Sequence, residues 1–100
     1  MMAKKLFSIL QADLSCCYVT GSTNVAIHHV FPGSGRRTHC EKYGFIVALR
    51  PDYHNMSGYS VHDNPNKGLD LELKQSCQRY FEEQCGSRDE FRTIFKMSYL

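Results

Sequence analysis

One hundred residues, 42% of them apolar, provide for one domain with a small core and exclude a second. Charged residues make up 22% and the net charge is +2. That mildly basic balance permits nucleic-acid contact without arguing for it. No stretch approaches the roughly 18 apolar residues of a membrane span, so no spanning helix is expected.

The chain opens on Met1-Met2-Ala3-Lys4-Lys5 and the apolar Leu6-Phe7-Ser8-Ile9-Leu10, a start like that of a signal peptide. The run stops at Gln11-Ala12-Asp13, short of the roughly 7–15 residues such a segment needs, and no small-residue cleavage pattern follows. The expectation is a soluble, cytoplasmic chain. Leu6, Phe7, Ile9, Leu10 and Leu14 fall at helical spacing and predict a short amphipathic helix over Lys4 to Leu14.

Ser15 to Asn24 reads as turns, with Gly21-Ser22-Thr23-Asn24 as a breaker cluster. Val25-Ala26-Ile27-His28-His29-Val30-Phe31 is rich in β-formers and predicts a strand. Pro32-Gly33-Ser34-Gly35 ends it. Arg36-Arg37-Thr38-His39-Cys40-Glu41-Lys42 reads as a polar, basic loop, and Gly44 to Leu49 as a second strand. The two strands are expected to pair as a hairpin with the basic loop at its tip.

Pro51 suits the first turn of a helix, where its missing N–H is not needed, and Asp52 suits the positive helix end. A short helix from Pro51 to about Met56 would therefore carry His54. Loops follow over Ser57 to Ser60 and His62 to Gly68. Leu69 to Gln84 is the clearest helix, with Leu69, Leu73, Cys77, Tyr80 and Phe81 on one stripe and Glu72, Gln75, Arg79 and Glu83 opposite. Gly86 closes it. Ser87-Arg88-Asp89-Glu90 is a capping box that starts a last helix, with Phe91, Ile94 and Phe95 inward.

Five cysteines, at positions 16, 17, 40, 77 and 85, form no complete C-x-x-C pair. Their odd number argues against a disulfide framework. Cys77 and Cys85 fit as small core or surface residues on a helix.

All five histidines lie between Asn24 and His62. Neighbours on a strand point to opposite faces, so His28 and His29 share one site only if the strand bends; otherwise one can face a metal and the other a substrate. Neutral imidazoles bind divalent transition metals, and a second imidazole near neutrality can take a proton from water. His54 and His62 could complete a site. Three imidazoles with an open position describe a catalytic rather than a structural metal centre.

Several stretches together resemble the HNH, or ββα-metal, endonuclease family, specifically the small HNH-like proteins of bacteriophages and prophages. They are Cys17-Tyr18-Val19-Thr20-Gly21, His28-His29-Val30-Phe31, Glu41-Lys42-Tyr43-Gly44, Tyr53-His54-Asn55 and Val61-His62-Asp63-Asn64. The likeness continues through Leu71-Glu72-Leu73-Lys74-Gln75 to Phe91, Ile94-Phe95 and Tyr99-Leu100. It implies a single α+β domain over residues 1–100, with a ββα-metal core at about 17–64 and C-terminal helices at about 69–96. It implies a metal-dependent hydrolase of DNA phosphodiester bonds, acting in a bacterial cytoplasm. His28, His54 and His62 would hold a divalent ion (Mg²⁺, Mn²⁺, Ni²⁺ or Zn²⁺), and His29 would be the general base.

The chain departs from the family pattern at three points. Two C-x-x-C pairs of many relatives read here Cys17-Tyr18-Val19-Thr20 and Arg50-Pro51-Asp52-Tyr53, so no structural zinc held by four thiolates is expected; Cys16, Cys17 and Cys40 are the residues from which such a site could be improvised. The motif Asn has no counterpart where Gly44 and Phe45 open the second strand. No carboxylate is expected beside His29. Arg36, Arg37, Lys42 and Arg50 are candidates for DNA contact, chiefly with phosphates and with little sequence preference. Two other readings stay open: a degraded module of the same fold that binds DNA or a protein without cutting, and an interaction protein with no metal.

Overall fold

The computed structural model describes residues 5–33 and 35–100. It is a small α+β domain whose described elements run β1 (Ala26–His29), α1 (Arg36–Tyr43), β2 (Ile46–Leu49), α2 (Pro51–His54), α3 (Gly68–Gln84) and α4 (Arg88–Phe95). The two strands pair antiparallel, with His28 opposite Val47 and His29 opposite Ile46. All four residues of β2 are buried. This agrees with the two expected strands, with α2, and with the two C-terminal helices. No described helix is long and apolar enough to cross a membrane.

The expected basic loop at the hairpin tip is instead α1, a helix inserted between the strands. Its sequence carries no apolar stripe, and Cys40 alone is buried. Tertiary anchoring and glycine caps form it. Gly35 and Gly44 flank it with φ of 82° and 76°, a left-handed conformation that favours glycine. Both Gly44 N–H and Phe45 N–H close on Cys40 O. Ser34, part of the expected breaker, lies outside the described residues.

The expected helix over Lys4 to Leu14 is not formed in its described part, and Lys4 lies outside the described residues. The segment instead straps the edge of β2 that faces away from β1. Ile9 N–H donates to Gly44 O (2.9 Å) and Ser8 Oγ to Ile46 O (2.5 Å). Ala48 N–H donates to Gln11 Oε1 (2.6 Å), and Tyr18 N–H to Ala48 O (2.8 Å). Helical spacing over so short a run competes with the demand of an open sheet edge for partners, and the edge prevails.

The core is an aromatic cluster between the sheet and the C-terminal helices. Phe31 lies 4.5 Å from Phe95 and 5.4 Å from Phe91, centroid to centroid, and Phe45 5.6 Å from Phe95. The capping box at Ser87 and Glu90 forms in full. Cys85 N–H and Gly86 N–H both end α3 on Phe81 O (2.8 and 2.9 Å).

The inward face of α3 is rotated from the expected stripe. Tyr80 is 38% exposed, whereas Asp70, Lys74 and Gln78 are buried beside Leu73, Cys77 and Phe81. The polar residues are buried because each has a partner. Lys74 Nζ lies 2.7 Å from Asp70 Oδ2 and donates to Asn66 Oδ1 (2.9 Å). Gln78 accepts from Tyr99 N–H (2.7 Å) and donates to Ser98 Oγ. These bonds fix the loop that precedes α3 and the chain end that follows α4.

Candidate metal centre

His28 leaves the inner face of β1 and is 1% exposed. His54 ends α2, a single turn that starts at Pro51 after the extended Arg50. Beyond it the chain doubles back, because Val61 N–H donates to Tyr53 O (2.8 Å). Asp63 stiffens that return by accepting from Gly58 N–H (2.8 Å) and Ser60 Oγ (2.7 Å). His62 is thereby delivered to the other two rings.

The three imidazoles converge. One ring nitrogen from each of His28, His54 and His62 lies within 4.8 Å of the others. His54 Nε2 and His62 Nε2 are 3.2 Å apart. The His28 ring stands edge-on to both, at centroid distances of 5.3 and 5.1 Å. His28 Nε2 is buried and has no hydrogen-bond partner among the described residues. A buried polar atom without a partner is unfavourable by about 1–3 kcal/mol, a cost that a ligand at that nitrogen would remove.

Two ligand nitrogens about 2.0–2.1 Å from one ion stand roughly 3.0–3.4 Å apart, so the His54–His62 spacing suits a shared cation. The donor set, all imidazole, favours Zn²⁺, Ni²⁺ and their neighbours over Mg²⁺. The group fits a divalent ion on these grounds. Burial pushes the His28 ring down to about 3, with its histidine neighbours adding to the effect. Burial also lowers His54. Both shifts keep the rings in the neutral form that a metal requires.

His29 leaves the opposite face, with no bulge in the register. It nonetheless borders the same cleft of about 300 Å³, lined by Ile27, His28, His29, Pro32, Gly33, Arg37, His54 and His62. Three consecutive β1 residues share that lining, and among the described residues β1 pairs with β2 alone. The expectation that no carboxylate stands beside His29 is corrected: Glu41 Oε2 lies 2.8 Å from His29 Nε2. Reading α1 as loop concealed it, since a helix is what turns Glu41 toward the strand.

The four candidate basic residues have different surroundings. Arg37 lines the cleft, and Arg36, one position earlier on α1, donates to Pro32 O (3.3 Å). Lys42 lies over the Tyr43 ring at the far end of α1. Arg50 is held by both oxygens of Asp52 (2.6 and 2.8 Å), which leaves it less free for a phosphate. That bidentate pair holds the Asp52 carboxyl well below the usual carboxylate range.

The cysteines assemble no three-ligand cluster among the described residues. Cys17 Sγ accepts from Arg50 N–H (3.2 Å), and the Cys40 thiol donates to Phe31 O (3.4 Å). Burial pushes Cys40 up to about 11. On Cys17 burial acts upward too, but the Thr20 hydroxyl and the N–H groups of Arg50, Thr20 and Val19 outweigh it.

Set beside known proteins, the chain matches no family model, no curated protein and no solved structure.

Proposed function

We propose that this chain is a metal-dependent endonuclease of the HNH type that hydrolyses DNA phosphodiester bonds, with β1, β2 and α2 as a ββα-metal core. The observation that carries the reading is the convergence of His28, His54 and His62 in a cleft that His29 also borders, with His28 Nε2 buried and without a partner among the described residues.

A divalent ion held by His28, His54 and His62 would supply Lewis-acid stabilisation of the charge that builds on the phosphate and the leaving oxygen. His29 takes the proton from the attacking water as the new phosphorus–oxygen bond forms. The leaving oxygen departs as an alcohol once protonated from solvent, and the other fragment keeps the phosphate. Arg37 neutralises a phosphate in the cleft and orients the backbone, a contact that carries no base preference. The antiparallel pairing and the short helix behind it support the fold assignment, as does the order of the four histidines along the chain.

The test is metal content of the purified protein together with plasmid nicking in Mg²⁺, Mn²⁺, Ni²⁺ and Zn²⁺. Wild type is expected to bind one equivalent and to nick. His28→Ala should lose both properties, whereas His29→Ala should keep the metal and lose nicking. Full cleavage by His29→Ala would refute the mechanism. Bound metal with no cleavage of any DNA form would instead favour a binding module on the same fold.

A further inference from the structure

The geometry points to Glu41 as a positioning residue for His29, a role that rests on the nuclease reading above. Glu41 Oε2 lies 2.8 Å from His29 Nε2. A carboxylate only accepts hydrogen bonds, so the ring nitrogen that faces it must carry the hydrogen. Nδ1 then keeps its lone pair and is the atom free to take a proton from water. The contact also fixes the plane of the ring. The two side chains are only 12% and 25% exposed, which shields the bond from much of the water that would weaken it.

Glu41 is well placed to hold a ring steady because its own backbone is tied down. The preceding residue, Cys40, is fully buried and its thiol donates to Phe31 O, two positions beyond His29. The end of α1 closes on Cys40 O through Gly44 and Phe45, and Gly44 O in turn accepts from Ile9 N–H. Helix α1 is thus fastened both to the end of β1 and to the N-terminal strap. Glu41 is not among the residues that line the cleft, so it acts through His29 rather than on the substrate. A carboxylate that orients a working imidazole without touching substrate is a recurrent device in hydrolases.

The experiment compares wild type with Glu41→Ala, Glu41→Gln, His29→Ala and the double variant in steady-state nicking. Glu41→Ala should lower kcat at least roughly 10-fold with little change in KM, because the ring is no longer held in the tautomer that leaves Nδ1 free. Glu41→Gln, whose amide oxygen still accepts from Nε2–H, should recover most of the rate. In the His29→Ala background Glu41→Ala should add no further loss, because its action passes through that ring. A second readout needs neither metal nor turnover. Nitrogen-15 imidazole spectra in chelator should show a protected, hydrogen-bonded His29 Nε2–H in wild type and Glu41→Gln, and none in Glu41→Ala. If Glu41→Ala fails to fold, Glu41→Gln and the wild-type spectrum decide.

Losses that multiply in the double variant, or a wild-type rate in Glu41→Ala, would overturn the role of Glu41 alone. A wild type that does not nick, or His29→Ala that nicks normally, would overturn the nuclease reading and this role with it.

Discussion

His28 offers a test in which stability and metal binding are expected to move in opposite directions. Its ring is 1% exposed and its Nε2 has no partner among the described residues, so in the absence of metal the native state carries a buried, unsatisfied polar atom. His28→Leu replaces the ring with an apolar side chain of similar volume. Removing the unsatisfied nitrogen returns about 1–3 kcal/mol, and imperfect fit of the new side chain takes back up to about 1.5 kcal/mol. The net expectation in chelator is a variant more stable by about 1 kcal/mol, which is about 4–8 °C in Tm for a domain of this size. Addition of Zn²⁺ or Ni²⁺ should reverse the order. An ion at about 100 times its Kd stabilises the wild type by roughly 2.7 kcal/mol, and the variant, with two imidazoles left, gains little. Thermal melts of both proteins, with chelator and across a metal titration, measure all four corners. A variant less stable than wild type in chelator would show that Nε2 is no burden, and parallel gains with metal would show that His28 is no ligand.

Protonation and backbone strain give two further expectations. In chelator, wild-type stability should fall as pH drops below about 6.5, the ordinary His value, because the unfolded chain takes a proton there while burial keeps folded His28 neutral down to about 3. The loss should reach about 2 kcal/mol at pH 5, seen as an earlier urea midpoint, and His28→Leu should remove most of that slope. Gly44→Ala should destabilise by roughly 2 kcal/mol or more. Its φ of 76° disfavours a Cβ, and that Cβ would come within 2.5 Å of Phe7 Cε2; trimming the ring with Phe7→Ala should relieve only the clash, leaving about 1 kcal/mol of backbone strain in denaturant melts.

The ingredients of the site are legible in the chain, whereas its assembly is not. His28, His54 and His62 stand out by residue type and by their position on a strand, a helix and the loop behind it. Their convergence depends on Val61 N–H finding Tyr53 O and on the Asp63 bonds, which no spacing rule announces. Glu41 escapes a linear reading for a different reason. Helix α1 has no periodic apolar face, so its helicity comes from one buried cysteine and two capping glycines rather than from pattern. Gly35 and Gly44, which bracket the eight helical residues, are the signal that could have revealed it. The N-terminal segment misleads in the opposite sense, because its helical spacing is real but its hydrogen-bonding groups are claimed by β2. On α3 the apolar stripe identifies the helix correctly, and the bonds of Asp70, Lys74 and Gln78 set its rotation.

The strap along β2 has a consequence for how the protein can be handled. Ile46-Val47-Ala48-Leu49 is a short, uncharged, β-prone run, the kind of segment that seeds intermolecular cross-β stacking when its edge is bare. Two side chains, those of Ser8 and Gln11, together with the backbone of Ile9 and Tyr18, stand between that run and a neighbouring molecule. Trimming the chain past Gln11, or replacing Ser8 and Gln11 with residues that cannot bond, would leave the histidines untouched and yet bare an edge prone to aggregation.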